Sequence, residues 1–278
     1  MKKILALILA ALMLCLCFVG CAEDNGDANE TKEENKNAAK PNDDDTKPTE
    51  GENDGEKKVL KMATNAYFQP YEYYQDGKIV GIDAEIAAAI AEYLGYELEI
   101  VDMEFDSIIT AVKEGSVDFG MAGMTVTEDR LKDINFSNSY ATGVQSIIVK
   151  EGSAITSVDD LLADDATYKV GVQLGTTGDI YATDDMGKDR VTSYNNANNA
   201  VLGLIGGDVD CVIIDNEPAK ALVNANDGLK ILDTAYADED YAICVAKEKT
   251  ELLDKINEAI VALTADGTIA TIVNKYIK

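Results

Sequence analysis

From Val59 onward the sequence predicts an α/β fold of two lobes with a cleft between them, on three observations. Short β-rich runs alternate with amphipathic helical stretches, the βαβα order of a largely parallel sheet. The alternation starts afresh near Ser157. Strand-like crossings near Tyr140 to Val144 and near Asp240 to Ala242 join the two series and would act as a two-strand hinge. The expected division is 59–141 with 241–278 for lobe 1, and 142–240 for lobe 2.

Each element has its own local reason. VLKMAT reads as a strand, and GIDAEIAAAIAEYLGY as a helix with Asp83 as N-cap, an apolar stripe of Ile82, Ile86, Ile90 and Leu94, and a stop at Gly95. YELEIVDM follows as a strand, FDSIITAVKEGS as a helix, VDFGMAG as a strand and TEDRLKDI as a short helix. In the second series SVDDLLA is a short helix, YKVGVQ a strand, TTGDIYATDD and NANNAVLGLIGG helices, VDCVIID a strand and EPAKALVNAN a helix. The chain returns through YAICVAK and ends on one long helical pattern, TELLDKINEAIVALTADGTIATIVNKYI.

Ahead of this lies a different kind of sequence. MKKILALILAALMLCLCFVGC has two lysines, an apolar run from Ile4 to Val19 and Gly20 before Cys21, which reads as a signal peptide over residues 1–20. F-V-G-C resembles a bacterial lipobox, which implies cleavage before Cys21 and lipidation of it; Phe18 stands where leucine is usual. Cys15 and Cys17 lack a small residue directly before them and are poorer acceptors. Residues 21–58 continue with almost no apolar side chains and about two acids per base, so they cannot bury enough surface to offset chain entropy and form an acidic, disordered tether.

Composition prunes the functions. A formal net charge of −27 argues against nucleic-acid binding, which needs clustered Lys and Arg. The chain contains no histidine, so histidine-based triads and histidine-ligated metals are out. Of five cysteines only Cys211 and Cys244 fall in the folded part, both in apolar runs that make them small buried hydrophobes; a disulfide between them has no support from spacing.

Ligands of open α/β sheets bind at the carboxyl ends of strands, and four ends here carry suggestive groups. VLKMAT runs into Asn65 and the aromatics Tyr67, Phe68, Tyr71, Tyr73 and Tyr74; VDFGMAG ends at Gly123, before Thr125 and Arg130; YKVGVQ ends in Gln173, before LGTTG; VDCVIID ends in Asp215. Singly, each has a plain alternative: a solvated Arg130, a capping Asp215, turn-forming Gly175 and Gly178. Together they are complementary. Thr176 and Thr177 open a helix whose N-terminus suits an anion, Arg130 offers a planar fork for a carboxylate, and Asp215 offers an acceptor for an ammonium group. An α-amino acid carries one carboxylate and one ammonium and satisfies all of them.

From Val59 to Lys278 the chain resembles the extracellular solute-binding proteins of polar amino-acid ABC importers. The likeness rests on FQPYEY, GKIVGIDAEIAAAIAEYLG, MEFDSIITAVKEGSVDFGMAGMTVTEDR, NFSNSYATG, VGVQLGTTGDIYA, VDCVIIDNEPA and LTADGTIATIVNKYI, in that order. It implies the type II periplasmic-binding-protein fold, with a ligand cleft between the lobes and a two-strand hinge. It implies that Arg130 holds the ligand carboxylate with the amides of Thr125 and Thr176, that Asp215 and the Gly123 carbonyl take the α-amino group, and that Phe68 and Phe105 sandwich the side chain. Many similar proteins carry an acid where this chain has Asn65; with Gln173 also neutral, the pocket leans toward a neutral polar ligand such as glutamine, with basic ligands and cystine left open. The implied setting is a monomer with no cofactor, lipid-anchored on the outer face of the membrane and serving a permease and its ATPase subunits. A dehydratase-like enzyme on the same fold and a ligand-sensing module are the alternatives.

Overall fold

The computed structural model describes residues 58 to 277, so the predicted signal peptide, Cys21 and nearly all of the tether lie outside the described residues. The chain begins with β1 (Val59–Thr64), a hairpin sheet of β2 (Tyr67–Phe68), β3 (Glu72–Gln75) and β4 (Lys78–Val80), then α1 (Ile82–Leu94), β5 (Glu97–Asp102), α2 (Phe105–Glu114), β6 (Phe119–Gly120) and α3 (Arg130–Asp133). The 17-residue β7 (Ile134–Lys150) leads to α4 (Val158–Leu162), β8 (Val170–Gln173), α5 (Thr177–Met186), β9 (Val191–Tyr194), α6 (Ala197–Gly206), β10 (Cys211–Asp215), α7 (Asn216–Ala225) and β11 (Leu229–Ile231). The return is β12 (Ala237–Ala246), followed by α8 (Thr250–Ala265) and α9 (Thr268–Tyr276).

The main sheet runs β5-β1-β6-β12-β7-β10-β8-β9, with β11 beside β7. Its two ends are parallel, as expected: β1 pairs β5 and β6, and β8 pairs β9 and β10. Its middle is antiparallel, so the sheet is mixed rather than largely parallel. The reason is topological. The chain leaves the first half through β7 and comes back through β12, so these neighbours must run in opposite directions. Their register pairs Tyr241 with Ala141 and Asp240 with Thr142, inside the predicted crossings.

The buried residues follow the same plan. Ala63, Ile108, Val112, Met124, Ile134 and Cys244 pack under α2, while Ile147, Val149, Val170, Val172, Cys211 and Ile213 pack in the second half. A larger cluster extends from Met62, Ile86 and Ile90 through Tyr241 to Ile148, Val212 and Leu204, so both halves share apolar contacts along the crossing strands. In α1, Ile82, Ile86 and Ile90 are fully buried, each contributing about 1.5 to 3 kcal/mol, and Leu94 is partly buried. Cys211 and Cys244 are buried, free and in separate clusters, and burial pushes both thiols up to about 12.

Three local readings are corrected. Asp83 is not an N-cap: α1 starts after Gly81, and the carbonyls of Pro70 and Tyr71 accept from Ile82 N (3.0 Å) and Asp83 N (2.9 Å), so no side-chain cap is needed. VDFGMAG pairs as a strand only over Phe119–Gly120, because Gly123 turns the backbone into the left-handed region (φ +52°). The terminal helical pattern is two helices bent by 75°, broken where Gly267 takes φ +85°.

Candidate functional site

Asn65, Phe68, Phe105, Gly123, Thr125, Arg130, Gln173, Thr176 and Asp215, the ligand-pocket residues named from the sequence, all line one cavity of about 310 Å³. Glu72, Ala122 and Thr177 complete the lining. The cavity lies where β1, β6, β8 and β10 end.

Each half supplies part of the wall. Asn65 follows β1, and its Nδ2 donates to the Met103 carbonyl (2.8 Å) while its Oδ1 accepts from Gln173 Nε2 (2.9 Å) at the end of β8. The hairpin β2–β3 brings Phe68 against Gly123, where an added Cβ would lie 2.8 Å from Phe68 Cε1; only glycine permits both that approach and the positive φ. Thr176 caps α5, donating to the Gln173 carbonyl (2.8 Å) and accepting from Asp179 N (3.3 Å), so the N-terminus of α5 sits on the wall.

The charges are sorted by sign. Arg130 is buried; its Nη1 donates to the Thr125 carbonyl (2.6 Å) and its Nη2 to the Gly175 carbonyl (3.0 Å), while Cζ lies 5.4 Å from the Phe105 ring centroid. Burial pulls its pKa down, opposed first by Glu239, yet an arginine stays charged. Two of the five N–H donors of the fork are used by these carbonyls. Asp215 is also buried: Oδ2 accepts from Gln145 Nε2 (2.7 Å) and Oδ1 from the Tyr241 hydroxyl. Burial, then Glu239, holds the Asp215 carboxyl well above the usual carboxylate range.

The sequence reading missed Glu72, Gln145, Glu239 and Tyr241. Glu72 is fully buried with neither oxygen hydrogen-bonded to a donor, and burial followed by Asp83 raises its pKa strongly. Asp83 accepts from Gly123 N (2.8 Å) and the Tyr140 hydroxyl (2.8 Å), bonds that partly offset burial, which lifts it to about 6. The available signal for Glu72 was an acid amid the aromatic run YEYY. Gln145, Glu239 and Tyr241 lie on the crossing strands, whose pairing no local pattern reveals. Among the described residues no cluster of His, Cys, Asp and Glu could hold a metal ion.

An open α/β frame with charges sorted across an interlobe cavity defines a ligand-binding protein. Residues 60–278 match the bacterial extracellular solute-binding proteins, family 3, and the chain belongs to that family. It is 33% identical over 235 residues to the arginine-binding extracellular protein ArtP of Bacillus subtilis (strain 168), covering 81% of this chain and 88% of that one. It is 30% identical over 284 residues to the ABC transporter glutamine-binding protein GlnH of the same organism, covering 100% of this chain and 98% of the relative. Among solved structures, an ancestral arginine-binding protein bound to arginine superposes with a TM-score of 0.73 at 39% identity, covering 79% of this chain and 98% of that one. The fold is therefore the two-lobed type II periplasmic-binding-protein fold of amino-acid-binding proteins.

Proposed function

We propose that this protein captures a free amino acid outside the cell and delivers it to an ABC permease. The observation that carries this is the division of one cavity into a cationic side, Arg130 and the α5 N-terminus, and a carboxyl side, Asp215 with Glu239 behind it. In this reading the remaining Arg130 donors and the amides of Thr125 and Thr176 hold the α-carboxylate. Asp215 and the Gly123 carbonyl take the α-ammonium, and Phe68 and Phe105 flank the side chain. Asn65 and Gln173, two neutral amides, meet its far end and favour a polar side chain; the relatives that carry arginine and glutamine in their names span the same range. A thermal-shift screen of the amino acids tests this: a ligand at a hundred times its Kd adds about 2.7 kcal/mol of stability. No shift with any amino acid overturns the reading.

The protein acts as a binder, not an enzyme, in keeping with relatives named for binding. Lobe 1 is formed by 59–141 and 241–278 and lobe 2 by 142–240, closing about the β7–β12 pair. The mature monomer is tethered to the outer membrane face through a lipid on Cys21. Cys21→Ser releases it from the membrane fraction; full retention of that variant with the signal peptide removed contradicts the anchor.

A further inference from the structure

Behind the pocket, Gln145 on β7 and Glu239 on β12 form a polar bridge between the two halves of the protein. The Gln145 amide donates one hydrogen to Asp215 Oδ2 (2.7 Å) and the other to Glu239 Oε2 (2.9 Å). The same Glu239 oxygen accepts the Thr125 hydroxyl (2.9 Å), and the Tyr241 hydroxyl donates to Asp215 Oδ1. All four side chains that make this network with Asp215 are nearly or fully buried.

The Thr125 hydroxyl has one hydrogen and has given it to Glu239, so what it can offer the cavity is lone pairs. Gln145 and Tyr241 have likewise turned their donors onto the acids. Glu239 Oε1 remains buried with no partner. A site with its donors committed and acceptor capacity left over asks for a group that brings several N–H hydrogens and a positive charge.

Resting on the amino-acid reading above, we propose that Glu239 is a positioning residue of the ammonium site: through Thr125 and Gln145 it fixes the acceptors aimed at the ligand ammonium. The groups facing Glu239 and Asp215 are Arg130 from α3, Tyr181 from α5, Tyr71 and Glu72 from the hairpin region and Tyr241 from β12. Arg130 is the one cation among them and is set against the carboxylate end of the ligand. Burial first, and neighbouring Glu239 second, raise the Asp215 carboxyl well above the ordinary carboxylate range. A bound ammonium favours the ionised form, so binding releases a proton to solvent and affinity rises with pH until Asp215 ionises unaided.

Calorimetry of an amino acid that passes the thermal screen, in two buffers of different ionisation enthalpy between about pH 5 and about pH 8, reads the proton directly. A fraction of a proton released on binding to the unmodified protein is the expected result; no release anywhere in that range overturns the proposal without disturbing the binding function. Glu239→Gln, which keeps the shape, weakens binding by about tenfold or more at pH 8 and flattens the pH dependence, because Asp215 then ionises without the neighbouring charge. A lower affinity with the wild-type pH profile assigns Glu239 a merely structural role and also overturns it. Failure of every amino acid to bind the unmodified protein removes the functional reading itself.

Discussion

Replacing Gly123 by alanine tests the packing that shapes the pocket. The added methyl would sit 2.8 Å from Phe68 Cε1, 3.2 Å from Cδ1 and 3.7 Å from Tyr241 Cε2, in a backbone conformation of φ +52°. The left-handed backbone costs a non-glycine residue about 1 to 2 kcal/mol, and overpacking a tight wall about 1 to 3 kcal/mol. A loss of roughly 2 to 5 kcal/mol follows, and for a folded part of this size each kcal/mol shifts Tm by about 2 to 4 °C. Gly123→Ala should therefore melt at least about 4 °C lower without ligand. Phe68, which lines the cavity beside Gly123, must shift, and amino-acid binding weakens as well. A differential scanning calorimetry trace coincident with wild type would refute the argument from close approach.

Other perturbations separate the roles of individual residues. Arg130→Ala weakens binding by at least about tenfold and as much as a thousandfold, since charge-assisted bonds contribute about 1.5 to 3 kcal/mol each and their loss leaves a buried carboxylate unpaired; wild-type affinity in a titration contradicts the clamp. Asn65→Ala reorders the ranking among amino acids with little change in the grip on the shared groups, and a uniform loss across ligands contradicts that assignment. Asp83, Glu72 and Asp215 keep their protons in the native state beyond the range in which an unfolded chain releases them, Asp83 to about 6. The native state thus binds more protons, and stability of the unliganded protein falls as pH rises from about 4.5 to about 7. The lowered carboxyls of Glu85, Asp129, Asp160 and Asp266 act below that window. A Tm that climbs steadily through the window contradicts the assignment.

What the sequence revealed and what it hid have physical causes. The strand ends at Asn65, Gly123, Gln173 and Asp215 were legible because each follows a short apolar run, and α/β frames gather such ends at one place. Periodicity located α1 and α2, with glycine stops at Gly95 and Gly115, but misread Asp83 because backbone carbonyls took the capping role. The hairpin sheet escaped notice, as its strands are two to four residues long in a polar and aromatic setting. Glu239 was invisible for a different reason: its bond to Gln145 spans 94 residues, and only the pairing of the two crossing strands makes them neighbours.

In the proposed binding mode the cavity grips the two charged groups shared by all α-amino acids. The most direct test of this grip is calorimetric titration of the unmodified protein with one amino acid that passes the screen, with its α-carboxamide and with its analogue lacking the amino group. Each analogue should bind at least about thirtyfold more weakly than the parent, because each forfeits about 2 kcal/mol of charge-assisted bonding to Arg130 or to Asp215. Equal affinity for the parent and either analogue would contradict it.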